Sequence, residues 1–228
     1  MAARTPRVPL SRERVLAGAM AVADQGGLNA VTMRGVADEL GCEAMSLYYY
    51  VKDKSALLDG LVEVVIDEIL AATEADDALA SDEHWLATVR RRCLTARAVM
   101  LRHPWAPTVF STHENIPPNS FFVYELLVGT MVRAGFDYDL AHRAIHSLGS
   151  MVLGFTQELF DPEPGESDEV DLETFERMAA AMPYLTGMAA VDRHDPDSSL
   201  SRCDTQSEFE FTLTLILEGL ERFRLDGE

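Results

Sequence analysis

The stretch from Val31 to Leu58 contains the start and stop signals of three consecutive helices. Thr32 is a capping residue, and Gly41 follows the apolar pattern of the first helix at the position where helices often end. Asp53 is a second capping residue, and the apolar repeat behind it continues to Ile69. We therefore predict two short helices separated by a tight glycine turn, followed by a longer supporting helix.

The second short helix, from about Glu43 to Tyr49, carries small, hydroxyl and aromatic side chains. Leu47 and Tyr50 are expected to be buried in the core of this unit. The side chains predicted to face outward are Ala44, Met45, Ser46, Tyr48 and Tyr49. Two short helices joined by a tight turn form a helix-turn-helix, whose second helix lies in the major groove of DNA. The stretch is therefore predicted to bind DNA.

The same residues resemble the tetracycline-repressor (TetR) family of bacterial one-component regulators. The resemblance consists of T-x-R-x-V-A-x-x-L-G at 32–41, S-L-Y-Y-Y-V-K-D-K at 46–54 and A-L-L at 56–58, within a similarity over residues 11–72. A fainter likeness to the tetracycline-repressor branch consists of HPW at 103–105, G-x-x-x-x-x-A at 135–141 and FEFTLTLILEGLERF at 209–223. It implies a ligand-responsive regulator, most simply a repressor that a small molecule releases from DNA.

The resemblance assigns roles to the basic residues of the stretch. Arg34 matches an arginine that reads bases, and its bidentate contact to guanine would discriminate by about 1–3 kcal/mol. A surface ion pair with Asp38 is the alternative for this side chain. Tyr48 and Lys54 match contacts to DNA phosphates, and Lys52 lies at the same helix start.

The charge of the chain is unevenly distributed. Residues 1–60 contain seven basic and seven acidic side chains, so the whole net charge of −19 lies in residues 61–228. Because an acidic body repels DNA, we expect the neutral N-terminal part to face DNA, with an affinity that depends on salt. The N-terminus contains four arginines, at positions 4, 7, 12 and 14. They form either an arm that reaches DNA or a solubilising tail.

The chain is predicted to be all-α, with two helical domains. A flexible basic arm at 1–10 precedes a helix-turn-helix domain at 11–60, which is joined to a larger ligand-binding and dimerisation domain at 61–228. Ser11 caps the first helix and Gly26-Gly27 ends it. The supporting helix is predicted to fade near Ala72, and the acidic run 73–82 to connect the domains. Further helices are predicted at 83–102, 119–134, 139–160, 172–182 and 205–224, with irregular segments at 103–118, 161–171 and 183–204.

The last predicted helix is apolar around most of its circumference. Its apolar residues are Phe209, Phe211, Leu213, Leu215, Ile216, Leu217, Leu220 and Phe223. This pattern predicts burial on more than one side. The helix at 139–160 carries Gly149, Ser150 and Gly154, which permit close approach of another helix. The resemblance implies that helices 139–160 and 205–224 of two subunits form a homodimer that matches a palindromic operator.

Aromatic and polar side chains collect where the resemblance places a small-molecule pocket. The predicted effector-binding residues are Trp85, His103, Trp105, Phe110, Phe121, Tyr124, His146, Phe155 and Gln157. Each alone could equally belong to the core. Together they indicate a fairly large, mostly apolar ligand with one or two polar handles. The helix that begins at Asp53 is the expected lever between this pocket and DNA.

No cofactor or protein-bound metal is predicted. His142 and His146 stand one helical turn apart, a spacing that can hold a metal, but no third ligand is evident. A ligand that binds as a magnesium complex remains open, as in some members of the family. Cys42, Cys93 and Cys203 lie far apart and are expected to be reduced thiols. The absence of a long apolar run or signal core predicts a cytoplasmic protein without a membrane partner.

Two other functions fit the sequence less well. Ser111, His113 and Glu114 lie close together but in a proline-bounded loop without a glycine elbow, so an enzyme is not predicted. A DNA-binding or architectural protein that needs no ligand would show no sequence preference. Activation instead of repression also stays open, since the outcome depends on the position of the operator.

Overall fold

A computed structural model of the chain describes residues 9–79, 84–112, 117–155, 177, 179–189 and 205–226. All regular structure in these residues is helical, which confirms the predicted fold class. The helices are α1 (Arg12–Ala30), α2 (Met33–Leu40), α3 (Ala44–Leu47), α4 (Lys54–Leu79), α5 (Trp85–Arg102), α6 (Ala106–Thr112), α7 (Ser120–Arg133), α8 (Tyr138–Gly154), α9 (Pro183–Ala189) and α10 (Thr205–Asp226). None of the helices in this part of the chain is long and apolar enough to cross a membrane.

Several predictions fall outside the described residues. They are most of the N-terminal arm, with Arg4 and Arg7, the acidic loop at 161–171, the last residues of the helix predicted at 139–160, and Gln157, His113 and Glu114. Most of the helix predicted at 172–182 is also outside them.

The N-terminal caps of α1, α2 and α4 are those that the sequence predicts, namely Ser11, Thr32 and Asp53. The backbone N–H of Gly35 donates to Thr32 Oγ1 (2.9 Å), and that of Ala56 donates to Asp53 Oδ1 (2.9 Å). Gly41 ends α2 with a φ of 62°, a left-handed conformation that glycine adopts without steric cost. Gly27 interrupts α1 with a φ of 68°. Local chemistry therefore determines the length of each helix in the DNA-binding domain.

The DNA-binding domain has its own core under α3. Leu47 is fully buried, and it shares this core with Val15, Val36, Leu57 and Leu61. The helices α1 and α4 pack so closely that a Cβ on Gly60 would lie 2.5 Å from Leu16 Cδ2. The same core continues along α4 into the larger domain. The two domains are thus joined by packed side chains as well as by a helix.

The predicted linker at 73–82 is wrong over residues 73–79, since α4 continues to Leu79. The acidic stretch lies against α5, where Asp77 accepts charged hydrogen bonds from Arg91 (2.7 Å) and Arg92 (2.6 Å). Partial burial raises the pKa of Asp77, but the hydrogen bonds from Arg92 and Arg91 outweigh burial and hold the pKa below its usual value. These ion pairs keep the end of α4 helical on α5.

A second core lies at the other end of the larger domain. It is built from α5, α7, α8 and α10, with Phe209, Leu213 and Leu217 of α10 buried against α8. The side chain of Asp137 caps α8, accepting from the N–H of Leu140 (2.7 Å). Helix α10 therefore packs into its own subunit along one side.

Two segments predicted to be irregular contain short helices. Helix α6 has Pro107 as its second residue, and α9 begins at Pro183. Proline is compatible with the first turn of a helix because its missing N–H would have no intrahelical acceptor there. The prolines after α5 therefore do mark its end, as predicted, but new short helices begin at Pro107 and Pro183 where irregular structure was expected.

Candidate DNA-binding and ligand-binding sites

Helix α3 presents the outward face that the sequence predicts. Met45 and Tyr49 are 73% and 90% exposed, Tyr48 is about half exposed, and Ala44 and Ser46 are partly exposed. The prediction that Tyr50 belongs to the core is wrong, since its side chain is 37% exposed. Leu47 is the fully buried anchor of this short helix, and the partly buried Ala44 also packs against the core. The remaining side chains are available to a groove.

The basic residues of this surface are exposed and have no carboxylate partners among the described residues. Arg34 does not form the alternative ion pair with Asp38, although both side chains are described. Lys52 and Lys54 are exposed at the start of α4, next to the end of α3. This arrangement places unpaired positive charge around the α3 face and suits it to phosphates.

An apolar cavity of about 150 Å³ lies inside the larger domain. It is bordered by α4, α5, α7 and α8, with Phe110 of α6 on one side, and it is partly open to solvent. Most of its lining is hydrocarbon, with Ile66 and Ile69 from α4 and Leu148 and Val152 from α8. The cavity thus borders α4, and α4 begins beside α3, the recognition helix of the helix-turn-helix.

Few polar groups face this cavity, and none carries an uncompensated charge. Thr73, Ser120 and Tyr124 contribute hydroxyl groups. The guanidinium of Arg92 donates to Asp77, to the carbonyl of Leu126 (2.6 Å) and to Thr130 Oγ1 (2.8 Å).

The thiol of Cys93 also lines the cavity. Burial raises its pKa to about 12, so the thiol stays neutral at physiological pH. A ligand inside would therefore meet hydrocarbon, hydroxyl groups and a neutral thiol.

Of the predicted effector residues that the structure describes, Phe110 and Tyr124 line this cavity and the others do not. Phe121 is 60% exposed, because Ser120 and Tyr124 turn their face of α7 to the cavity and Phe121 lies about 100° further around. His146 is exposed on the outer face of α8. Phe155 instead packs edge-to-face on Phe209, with ring centroids 5.9 Å apart. The prediction that Phe121, His146 and Phe155 line the ligand pocket is therefore wrong for this cavity.

Trp85 is also outside the apolar cavity. Its ring packs edge-to-face on Phe136 at 4.7 Å, and its indole N–H donates to Glu221 Oε2 (3.1 Å). The hydrogen bonds from Arg224 are the main reason that the pKa of Glu221 is lowered. Trp85 therefore stabilises the second core and connects α5 to α10.

His103 and Trp105 join the two domains. His103 is buried, with Nδ1 2.9 Å from Asp24 Oδ1 and Nε2 3.2 Å from Glu68 Oε2. The indole N–H of Trp105 donates to the same Asp24 oxygen (2.6 Å). We call Asp24, Glu68, His103 and Trp105 the interdomain cluster. These two aromatic residues were predicted to line the effector pocket, and that prediction is wrong because both side chains turn towards α1.

The hydrogen bonds of the interdomain cluster depend on the charges of its side chains. Only the imidazolium form of His103 can donate from both ring nitrogens, whereas the neutral form donates from one. Burial raises the pKa of Glu68, but the hydrogen bonds from Arg102 and His103 outweigh burial and lower it. The sequence gives no signal for this cluster, because its members come from α1, α4 and the turn between α5 and α6.

The described residues offer no complete metal site. His142 and His146 lie side by side on α8, with ring centroids 4.6 Å apart, and both are exposed. No group of three or more histidine, cysteine, aspartate or glutamate side chains that could hold a metal ion occurs in the described part of the chain.

Ser111, the serine considered for an enzyme, is in α6, and its hydroxyl donates to the carbonyl of Thr108 (3.0 Å).

The exposed surfaces of α8 and α10 contrast with their buried ones. On α10, Phe211, Leu215 and Phe223 are between 54% and 66% exposed. On α8, Gly149 and Gly154 are exposed, and a Cβ on either would meet no atom within 4 Å. An apolar strip and a strip of small residues therefore lie uncovered on helices that pack against each other.

A helix-turn-helix with an exposed recognition helix, continuous with a helical domain that contains an apolar cavity, defines a DNA-binding regulator with a ligand-binding domain. Comparison with protein families agrees with this class. Residues 15–61 match the family described as bacterial regulatory proteins, tetR family, and residues 79–224 match the tetracyclin repressor-like C-terminal domain. The chain belongs to the TetR family, a family of ligand-responsive transcriptional regulators rather than of enzymes.

Individual relatives span most of the chain. The HTH-type transcriptional repressor DrrR1 of Streptomyces coeruleorubidus is 30% identical over 222 residues, covering 96% of this chain and 80% of its own. The class C tetracycline repressor protein of Escherichia coli is 27% identical, with 95% and 93% covered.

Solved structures share the fold. A possible TetR family regulator from Streptomyces coelicolor A3(2) superposes with a TM-score of 0.73 at 29% identity, covering 93% of this chain and all of its own. Apo ActR of Streptomyces coelicolor superposes with a TM-score of 0.76 at 22% identity, covering 98% of this chain and 100% of its own. The second likeness shows the fold alone.

Proposed function

We propose that this protein is a homodimeric repressor that binds a palindromic operator and is released from it by an uncharged, mostly apolar small molecule. The observation that carries this proposal is the position of α4. One continuous helix starts beside the recognition helix at Lys54 and lines the apolar cavity with Ile66, Ile69 and Thr73. A ligand that changes the packing of this helix changes the placement of α3.

The proposed DNA contacts divide into base contacts and phosphate contacts. Arg34 would donate two hydrogen bonds to guanine, and Ala44 and Met45 would contact thymine methyl groups. Tyr48, Lys52 and Lys54 would bind phosphates and set the register of the protein on the duplex. Ser46 and Tyr49 complete the proposed surface, since both face outward from α3.

The proposed dimer interface consists of α8 and α10, within the ranges 139–160 and 205–224. Phe211, Leu215 and Phe223 are too large and apolar to remain on the surface without a partner when they lie on one helix. The uncovered small residues of α8 would let the partner's helix approach closely. A two-fold dimer places two recognition helices on a palindrome.

The chemistry of the cavity determines the proposed ligand class. Among the described residues that line it, Arg92 alone is charged and is already neutralised by Asp77, so an ionic ligand would lose hydration without gaining a partner there. A hydrocarbon or aromatic body with a hydroxyl or carbonyl group would match Thr73, Ser120 and Tyr124. Among structural relatives, ActR is known in complex with actinorhodin, and a variant of TetR from Acinetobacter baumannii AYE in complex with minocycline.

The interdomain cluster is the proposed route by which the cavity acts on DNA. Glu68 is on α4, between one and two turns before the cavity-lining Thr73 and beside Ile69, and it holds His103 and through it Asp24 of α1. A shift of α4 would break or rebuild these bonds, giving two discrete domain arrangements. Because its target is operator DNA, we propose that the protein works in the cytoplasm.

Footprinting and thermal denaturation together test this function. We expect the purified protein to protect a palindrome in the DNA upstream of its own gene. We expect one compound of a neutral, apolar panel to raise the unfolding temperature and to abolish the footprint. Protection without sequence preference would replace the proposal with an architectural role. A footprint that persists with every stabilising compound would favour a ligand-independent regulator.

A further inference from the structure

Helix α4 is held on a second face, away from the interdomain cluster. Glu63 and Asp67 stand one helical turn apart and share this face, whereas Glu68 of the interdomain cluster lies about 140° further around the helix from Glu63. Glu63 and Asp67 both contact α7 through one residue, Asn119. The larger domain therefore holds the same part of α4 on two sides.

Asn119 occupies the N-cap position of α7, but its side chain does not cap that helix. Asparagine is among the best capping residues, because its side-chain oxygen accepts from a free backbone N–H. Here Nδ2 instead donates to α4, to the backbone carbonyl of Glu63 (2.9 Å) and to Asp67 Oδ1 (2.7 Å). Oδ1 of Asn119 is buried and has no hydrogen-bond partner among the described residues. The amide therefore contributes to the contact between α7 and α4 rather than to the stability of its own helix.

Glu63 is bound by both domains at once. Its Oε2 accepts from Arg12 Nη2 (2.7 Å), and Arg12 is the first residue of α1 in the DNA-binding domain. Its backbone carbonyl accepts from Asn119, at the start of α7 in the larger domain. A displacement of α7 would therefore act on the residue that holds the first turn of α1.

The start of α7 is also part of the cavity wall. Ser120, next to Asn119, is buried and lines the apolar cavity, and Tyr124 lines it one turn later. A ligand that contacts these hydroxyl groups would displace the first turn of α7, which Asn119 joins to α4. Asn119 thus lies between the cavity and the contact with the DNA-binding domain.

We propose that Asn119 is a positioning residue that transmits a change at the cavity to the DNA-binding domain, through Glu63 and Arg12. The inference rests on the proposed function, because it adds a second route to it. This route shares no residue with the interdomain cluster. It reaches α1 at Arg12, whereas the interdomain cluster reaches α1 at Asp24, about 18 Å further along the helix. A shift of α4 would then act on α1 at two separate points and move the DNA-binding domain as one body.

Hydrogen–deuterium exchange of the full chain, without and with a duplex from upstream of its own gene, tests this route with DNA as the only ligand. Because allosteric coupling is reciprocal, DNA bound at α3 should also stabilise the cavity wall. In the wild type, we expect the duplex to slow exchange in residues 43–50, around α3, and by about fivefold or more in residues 120–127 of α7. In Asn119→Ala, the slowing at 43–50 should remain and that at 120–127 should fall below about twofold.

Two further variants separate this role from local helix stability. Asn119→Asp keeps the shape of the side chain and can cap α7, but it cannot donate to Glu63 and Asp67, so it should lose the slowing at 120–127 as Asn119→Ala does. Glu125→Ala, at an exposed position of α7, is the control and should respond to the duplex as the wild type does. Simple fraying of α7 would instead speed exchange with and without DNA alike.

Other results would overturn the proposal. They are an unchanged slowing at 120–127 in Asn119→Ala or Asn119→Asp, an equal loss in Glu125→Ala, or no slowing at 120–127 in a wild type that is protected at 43–50. The absence of protection at 43–50 in the wild type would contradict the repressor function itself, and this inference with it.

Discussion

His103 Nδ1 lies 2.9 Å from Asp24 Oδ1, so a buried imidazole of the larger domain holds a carboxylate of the first helix of the DNA-binding domain. Trp105 donates to the same oxygen, and Glu68 of α4 lies on the other side of the ring. The bond between these two residues therefore couples three elements: α1, α4 and the turn before α6. It is a partly buried polar connection between the DNA-binding domain and the larger domain.

Asp24→Asn should weaken the coupling between ligand and DNA. The amide keeps the shape of the carboxylate but loses the charge-assisted bonds to His103 and Trp105, which we expect to cost about 1–3 kcal/mol of stability. The ratio of operator affinities without and with inducing ligand should fall, since allosteric coupling is itself typically about 1–3 kcal/mol. Urea denaturation and operator titrations measure the two effects. Glu125→Gln, at an exposed position of α7, is the control. An unchanged ratio in Asp24→Asn would remove the cluster from the signal path.

Arg34→Ala should reduce operator affinity by about 1–3 kcal/mol without changing the fold, because the side chain is exposed and unpaired.

Lys54→Ala should weaken binding to all sequences alike and lower the slope of log affinity against log salt by about 1. Anisotropy titrations on operator and scrambled DNA distinguish the two residues. Equal losses on both DNAs for Arg34→Ala would assign it to phosphate rather than to a base.

The stability of the protein should fall at acidic pH partly through Asp77. Its pKa in the folded state is lowered from the ordinary value of 3.8, so the unfolded chain binds the proton more tightly. The contribution is therefore fully present above about pH 4 and is lost as the pH falls through the lowered folded value. Urea unfolding from pH 7 to pH 3 should show a smaller decrease for Asp77→Asn than for the wild type. Parallel curves would show that the ion pairs with Arg91 and Arg92 contribute nothing.

Leu215→Glu should break the proposed dimer, because it places a charge in the middle of the exposed apolar strip on α10. Light scattering coupled to gel filtration should give the mass of two chains for the wild type and of one chain for the variant. Tyr184→Glu, at an exposed position of α9, is the control and should leave the mass unchanged. A dimer that survives Leu215→Glu would place the interface elsewhere.

The helices of the DNA-binding domain could be predicted because their signals are local. Thr32, Gly41 and Asp53 each act on backbone groups within a few residues, so a pattern in the sequence is enough to locate them. The extension of α4 could not be predicted this way. An acidic run without a strong apolar pattern is typical of a linker. The partners that keep this run helical, Arg91 and Arg92, lie more than ten residues further along the chain, so a local pattern does not reveal them.

The ligand cavity was only partly predictable. Of the residues predicted from their type, Phe110 and Tyr124 line the apolar cavity, but residue type alone does not give the direction in which a helical side chain points. Phe121 therefore falls on the outer face of α7, one residue from the cavity-lining Ser120. His103 and Trp105 show a second limit, since their partner Asp24 is about 80 residues away in sequence and belongs to the other domain.

The proposed function requires that the protein binds a specific DNA sequence and that a ligand releases it. Fluorescence anisotropy of a labelled fragment from upstream of the gene measures both, with scrambled DNA as competitor and the neutral compound panel added to the complex. We predict salt-dependent binding that scrambled DNA does not displace, and release by one compound of the panel. Equal affinity for the upstream and scrambled fragments would contradict the account.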